Sequence, residues 1–231
     1  MKFHWSLCAA ALAATLPAPA AAEDTIGVRR TFEQFSQCVA ARHHDEAEAT
    51  VLSTEPGKVV LAAHSDVVDG YCLRTEWLKL ENAEYLRFGL ADALLRLDYA
   101  KGLPADIAQA APLAHPEVNE ADYRPEPDKT ATAKEIAKLQ QDLEDARAGR
   151  TASIFAECVA RADPGGVLAL VLTEPVSDAE KKAFAELQPP LNACLPKTKA
   201  IRLDALQLRG ALAMNLYRLA KAPRANAAGP K

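Results

Sequence analysis

Two stretches of this chain carry the same arrangement of apolar and polar positions. Phe35-Ser36-Gln37-Cys38-Val39-Ala40 recurs 120 residues further on as Phe155-Ala156-Glu157-Cys158-Val159-Ala160. Leu86, Leu90, Leu94 and Leu97 fall at i, i+4, i+8 and i+11, and Leu208, Leu212, Leu216 and Leu219 repeat them 122 residues later. With about 100° between successive helical residues, each set lies within an arc of about 80°. Each is therefore read as the buried stripe of a helix. Arg87 and Arg209 border the stripes on one side, and Arg96 and Arg218 on the other.

The remaining periodicity predicts more helices of matched position. The first helix of each copy starts near Thr31 or Thr151, with Thr31 and Gln34 placed as a capping box. Second helices are expected at Glu46 to Ser53 and Val167 to Leu172, the all-apolar one being the more buried. Third helices are expected at Lys58 to Val67 and Asp178 to Leu187. The latter opens on the capping box Ser177-x-x-Glu180 and stops at Pro189-Pro190. Leu73 to Asn82 and Leu195 to Leu203 read as loop, with Thr75 to Leu80 the place for a short strand. Thr132 to Ala148 shows Ile136, Leu139 and Leu143 among charges, an amphipathic helix ending at Gly149.

The expected architecture is all-α. It is a tandem duplication of two similar disulfide-stapled units of about four helices each, with an extra amphipathic helix in the connection. The boundaries are a signal peptide at 1–22, unit one at 23–101, a proline-rich linker at 102–129, a connecting helix at 130–149, unit two at 150–222 and a disordered tail at 223–231. Two copies of so long a repeat do not make a solenoid, whose periods are shorter.

Composition adds a compartment. Lys2, the apolar run Leu7 to Leu16 and the small residues before Glu23 form the layout of a secretory signal cleaved after Ala22. The run is too short to span a bilayer, and no later stretch is long and apolar enough. The protein is expected to be periplasmic or secreted. Beyond Cys8, the remaining cysteines are Cys38, Cys72, Cys158 and Cys194. Four cysteines allow three pairings. A unit that once folded alone must bridge within itself, so the expected pairs are Cys38–Cys72 and Cys158–Cys194. The net charge is −4, with no basic block, which leaves no footprint for nucleic acid or an anionic membrane.

Few residues suggest chemistry. His43-His44-Asp45-Glu46 carries metal-ligand types, but adjacent helical residues point about 100° apart, and copy two has no histidine there. No metal and no cofactor is expected. No Cys-x-x-Cys, phosphate-cradling glycine loop, His-Glu-x-x-His or Gly-x-Ser-x-Gly is present. The polar residues that both copies share are Glu55 with Arg87 and Glu174 with Arg209. They are expected to be ion pairs joining a turn to the last helix, the other reading being contacts to an anionic ligand. The function expected is an exported, non-catalytic binding or structural module whose partner is a protein, envelope component or small ligand. The alternative is a hydrolase-like enzyme with its site between the copies.

Overall fold

The leucine stripes build the centre of the molecule. The computed structural model describes residues 21–55, 57–73, 83–125, 130–197 and 203–223. Within them the chain is helical, with no strand. The helix bearing the first stripe is α4 (Ala83–Tyr99), and the one bearing the second is α9 (Ala205–Lys221). They pack on each other more extensively than any other pair. Leu86, Leu90, Leu94, Leu212, Leu216 and Leu219 are fully buried. Leu97 departs from the expectation: it is 52% exposed, although Asp98 and Tyr99 beside it still reach His44 and Tyr217.

Each central helix is flanked in a matched way. The first, α1 (Ala21–Arg42), packs on α4, as the C-terminal part of α5 (Ala133–Ala162) packs on α9. Short helices follow, α2 (His44–Leu52) and α3 (Gly57–Ala63) beside α4, and α6 (Pro164–Leu172), α7 (Asp178–Glu186) and α8 (Gln188–Cys194) in the second half. As the all-apolar composition implies, α6 buries Val167, Leu168, Leu170 and Val171, whereas α2 buries Ala47, Thr50 and Val51.

Several boundaries differ from the sequence reading. Thr31 caps nothing, because α1 already runs from Ala21; extending a helix is cheaper than nucleating one. Gly149 does not end a helix either. The connecting helix and the first helix of the second half are one helix of 30 residues, α5. Its start is fixed by a capping box of Thr132 and Glu135. Gly149 lies on an open face, so its only penalty is the ~1 kcal/mol of glycine in a helix. Pro189 and Pro190 sit in the first turn of α8, where a missing N–H costs nothing. Thr75 to Leu80, the signal peptide up to residue 20 and most of the expected tail lie outside the described residues.

The proline-rich connection is irregular but firmly held. Ile107 and Ala110 are buried. Arg161 donates to the Ala110 and Ala111 carbonyls, Arg150 to Pro116 and Arg218 to Ala114. His115 bridges Ser153 and Glu157, at 2.9 and 2.6 Å. The connection is thus a strap pinned along α5 and α9.

Disulfides join Cys38 to Cys72 and Cys158 to Cys194, across separations of 34 and 36 residues. Each staples the first helix of its half to the segment that precedes the central helix. Replacing Cys158 and Cys194 together by serine is expected to lower stability by ~2–4 kcal/mol, since it frees a long loop in the unfolded chain. Urea unfolding of the oxidised protein and the variant measures this. Peptide mapping without reduction should give the two within-half links and no peptide joining Cys38 to Cys158 or Cys194.

Candidate functional site

Helix C-termini leave unpaired carbonyls at the negative end of the helix dipole. Both halves satisfy them with the arginine at the edge of the leucine stripe. Arg87 donates to the Thr50, Ser53 and Glu55 main-chain carbonyls in the last turn of α2 and just beyond it, and to the Glu84 carboxylate. Arg209 donates to the Val171 and Thr173 carbonyls at the end of α6. The carboxylate pairs expected of Glu55 and Glu174 do not form. Glu55 offers its carbonyl, not its side chain, and Arg209 bonds other acids. The turn carbonyls lie nearer the core edge than the side chains beside them, and their dipoles point at the guanidinium.

Arg209 belongs to a larger arrangement. Its Nε donates to Asp92 Oδ2 at 2.7 Å and its Nη1 to Glu180 Oε1 at 3.0 Å. Asp92 Oδ1 accepts from Arg96 Nε at 2.9 Å, and Arg96 Nη2 lies 3.0 Å from Glu33 Oε1. Glu180 accepts twice from Arg29, at 2.7 and 3.1 Å. Arg29 and Glu33 are one turn apart on α1, so the series runs from α1 back to α1 and forms a ring whose last step is the helix itself. Going round it, Glu33, Arg96, Asp92, Arg209, Glu180 and Arg29 alternate in sign. Three anions and three cations, from α1, α4, α7 and α9, balance. Arg209 and Glu180 are each 3% exposed. Burial pushes the Glu33 carboxyl up from its ordinary range, opposed by Arg96 and reinforced by Asp92. Burial opposes the charge on Arg209 too, but Asp92 and Glu180 outweigh it and raise its pKa.

The ring missed by sequence reasoning includes Glu180. Ser177 Oγ accepts from the Glu180 N–H, as the capping pattern implies. The Glu180 carboxylate, however, turns inward and accepts from the Val176 N–H at 2.8 Å. Val176 has φ +62°, a left-handed conformation costly for a β-branched residue. The Glu180 bond offsets that strain and holds the Pro175–Ser177 turn against the ring. One signal was visible: Asp92 interrupts a buried apolar run, four residues before Arg96.

Beside the ring lies a small open cleft of about 30 Å³, lined by Arg29, Glu33, Gln37, Asp92 and Arg209 with Phe32, Phe88, Pro175 and Leu206. Two glycines give it a floor. A Cβ at Gly89 would meet Phe32 ring atoms at 2.7 and 2.8 Å, and one at Gly210 would meet Phe88 Cβ at 2.3 Å. Phe32 and Phe88 approach helix backbone this closely only because no side chain stands there.

The histidines lie elsewhere and diverge. His43 Nε2 meets Asp69 Oδ2 at 3.0 Å, and His44 Nε2 meets Asp98 Oδ1 at 2.9 Å. His44, Glu48 and Asp98 bring donor atoms within 4.8 Å of one another, the set here best suited to a metal ion. Lys221 Nζ is already 2.7 Å from Glu48 and 3.5 Å from Asp98, so the cation in this cluster is an ammonium. Tyr217 donates to both carboxylates, and burial with these two acceptors pushes its pKa up.

These pairs give a pH dependence. The Asp98 hydrogen bond holds the His44 pKa above its ordinary 6.5, against partial desolvation. A raised histidine stabilises the fold fully below 6.5 and loses that contribution as pH rises through its folded pKa. Asp69 is held down to about 2, first by Arg42, then by His43 and the Tyr71 N–H. Its contribution is present above the ordinary 3.8 and lost as pH falls towards 2. Urea midpoints measured against pH should therefore fall on both flanks. His44→Gln should flatten the alkaline flank, and an unchanged alkaline flank would reject the assignment.

No protein-family model matches the chain, and neither a curated protein nor a solved structure matches it.

Proposed function

We propose that this protein is an exported, non-catalytic binding module of the periplasm, built by tandem duplication, with its binding site in the cleft between its halves. The observation that carries this is the ring beside that cleft. Apart from Arg29 Nε, its arginines spend their donors on the chain itself, so the charges serve as a rigid frame and the apolar floor is left to meet a ligand. The arginines Arg87 and Arg209 are then clamps rather than anion contacts. The duplication is supported by the matched disulfide spans and by the shared clamping of α2 and α6. Export is supported by the disulfides, which persist in oxidising compartments. In fractionated cells the protein should be periplasmic or secreted, with Glu23 as its first residue.

The test of function is retention of an envelope component on the immobilised mature protein, displaced by free protein. The partner is a protein, envelope component or small ligand. A second reading, a hydrolase-like enzyme, rests on the Glu33 and Asp92 carboxyl groups lining one cleft, one of them raised as a general acid would be. Turnover of chromogenic glycosides or esters, abolished by Glu33→Gln, would favour that reading over binding.

A further inference from the structure

Three helices bring a set of ligand atoms together, and the set shares no residue with the cleft. His44 and Glu48 are four residues apart on α2, so they stand on one face of it. Asp98, next to last in α4, supplies the third group. One imidazole nitrogen and one oxygen from each carboxylate all lie within 4.8 Å of one another. His44 Nε2 is 2.9 Å from Asp98 Oδ1. Solvent reaches all three side chains: His44 is 38% exposed, Glu48 26% and Asp98 20%. Both carboxylates meet one phenol, with Tyr217 Oη 2.9 Å from Glu48 Oε2 and 2.8 Å from Asp98 Oδ2. A phenol has one proton, so at any moment one of the two carboxylates lacks it.

Packing does not require polar groups here. At the matching positions of the second half, 120 residues after His44 and Glu48 and 122 after Asp98, stand Pro164, Leu168 and Ala220. Leu168 and Ala220 are buried. The first half thus keeps an imidazole and two carboxylates where apolar side chains serve the second. Beside a neutral imidazole the two carboxylates carry two negative charges. The Lys221 ammonium, 2.7 Å from Glu48 and 3.5 Å from Asp98, matches one of them, and a divalent cation would match both. Lys221 is the last residue of α9 and partly exposed, so its side chain can turn out to water. A partly exposed ion pair holds it only weakly. We propose that His44, Glu48 and Asp98 bind a divalent transition-metal ion of the zinc, copper and nickel class, and that Lys221 is the internal cation it displaces. Imidazole together with carboxylates suits that class, whereas calcium and magnesium prefer oxygen alone. Tyr217 then orients the ligating carboxylates from outside the site.

Zn²⁺ titrated into the tag-free, chelator-treated mature protein at neutral pH should shift the His44 ring resonances saturably and raise the urea midpoint. Ca²⁺ and Mg²⁺ at the same concentration should do neither. Glu48→Gln should weaken Zn²⁺ binding at least about ten-fold, since even the outer partners of a metal ligand are worth that much. Lys221→Ala should tighten it about two- to five-fold, because the competing ammonium is gone. Lys221→Gln gives the same test should the first variant not fold. His43→Gln should leave Zn²⁺ binding unchanged, because that ring turns to Asp69 at 3.0 Å. A lysine that only clamps the fold predicts the opposite for Lys221→Ala, a lower urea midpoint with no gain in Zn²⁺ affinity. The proposal is overturned by any of four results: no saturable Zn²⁺ shift at His44, an equal response to Ca²⁺, full Zn²⁺ affinity in Glu48→Gln, or Zn²⁺ affinity that removing the Lys221 ammonium leaves unchanged or lowers.

Discussion

Glu180→Ala should lower the stability of the protein by ~3–5 kcal/mol. Glu180 is 3% exposed and accepts from Arg29, Arg209 and the Val176 N–H. Removing it leaves Arg209 with Asp92 but strands Arg29, whose only side-chain partner among the described residues is Glu180. It also leaves the left-handed Val176 without the bond that offsets its strain. A double-mutant cycle separates the pair from the vacancy. Glu180→Gln and Arg29→Met should each cost more than a surface charge would. The two together should cost less than the sum of the separate effects, by ~0.5–3 kcal/mol, because neither charge is then stranded. Additive effects in urea unfolding would mean that the ring is a set of independent contacts. Glu180 joins α7 to α1 and α9, so the same substitution should loosen the second half from the first. Hydrogen exchange of α7 would show it.

Leu212→Ala and Leu90→Ala should each cost ~2–5 kcal/mol. Both side chains are fully buried in the seam between α4 and α9, where few rearrangements can refill the space. Leu97→Ala is the internal control. Leu97 is 52% exposed and should change stability by no more than ~0.5 kcal/mol, although it belongs to the same periodic stripe. Equal losses at Leu90 and Leu97 would contradict the burial that distinguishes them. Thermal or urea unfolding reads all three variants.

The contrast between Leu90 and Leu97 marks the limit of reading a sequence. Periodicity says which face of α4 is apolar, since the angle per residue is a property of the helix alone. It does not say how far along that face neighbouring side chains cover it. The same division holds elsewhere. The sequence determined the central helices, the apolar α6, the start of α5 at Thr132 and the cysteines available for pairing. Those are local preferences, or are read directly from the residues present. Gly149 does not stop α5, because a local breaker is weighed against tertiary packing and here packing won. Pro189 and Pro190 do follow the end of α7, and they also open α8, a place their missing N–H suits. The charge ring was decided by the tertiary structure alone. Arg29 and Glu180 stand 151 residues apart, and Asp92 and Arg209 stand 117 apart. Nothing in either neighbourhood names the other. Ser177-x-x-Glu180 even announced a different, local role for Glu180. A buried charge takes whichever counter-charge the fold brings within reach, and only the packing of α1, α4, α7 and α9 determined which one that was.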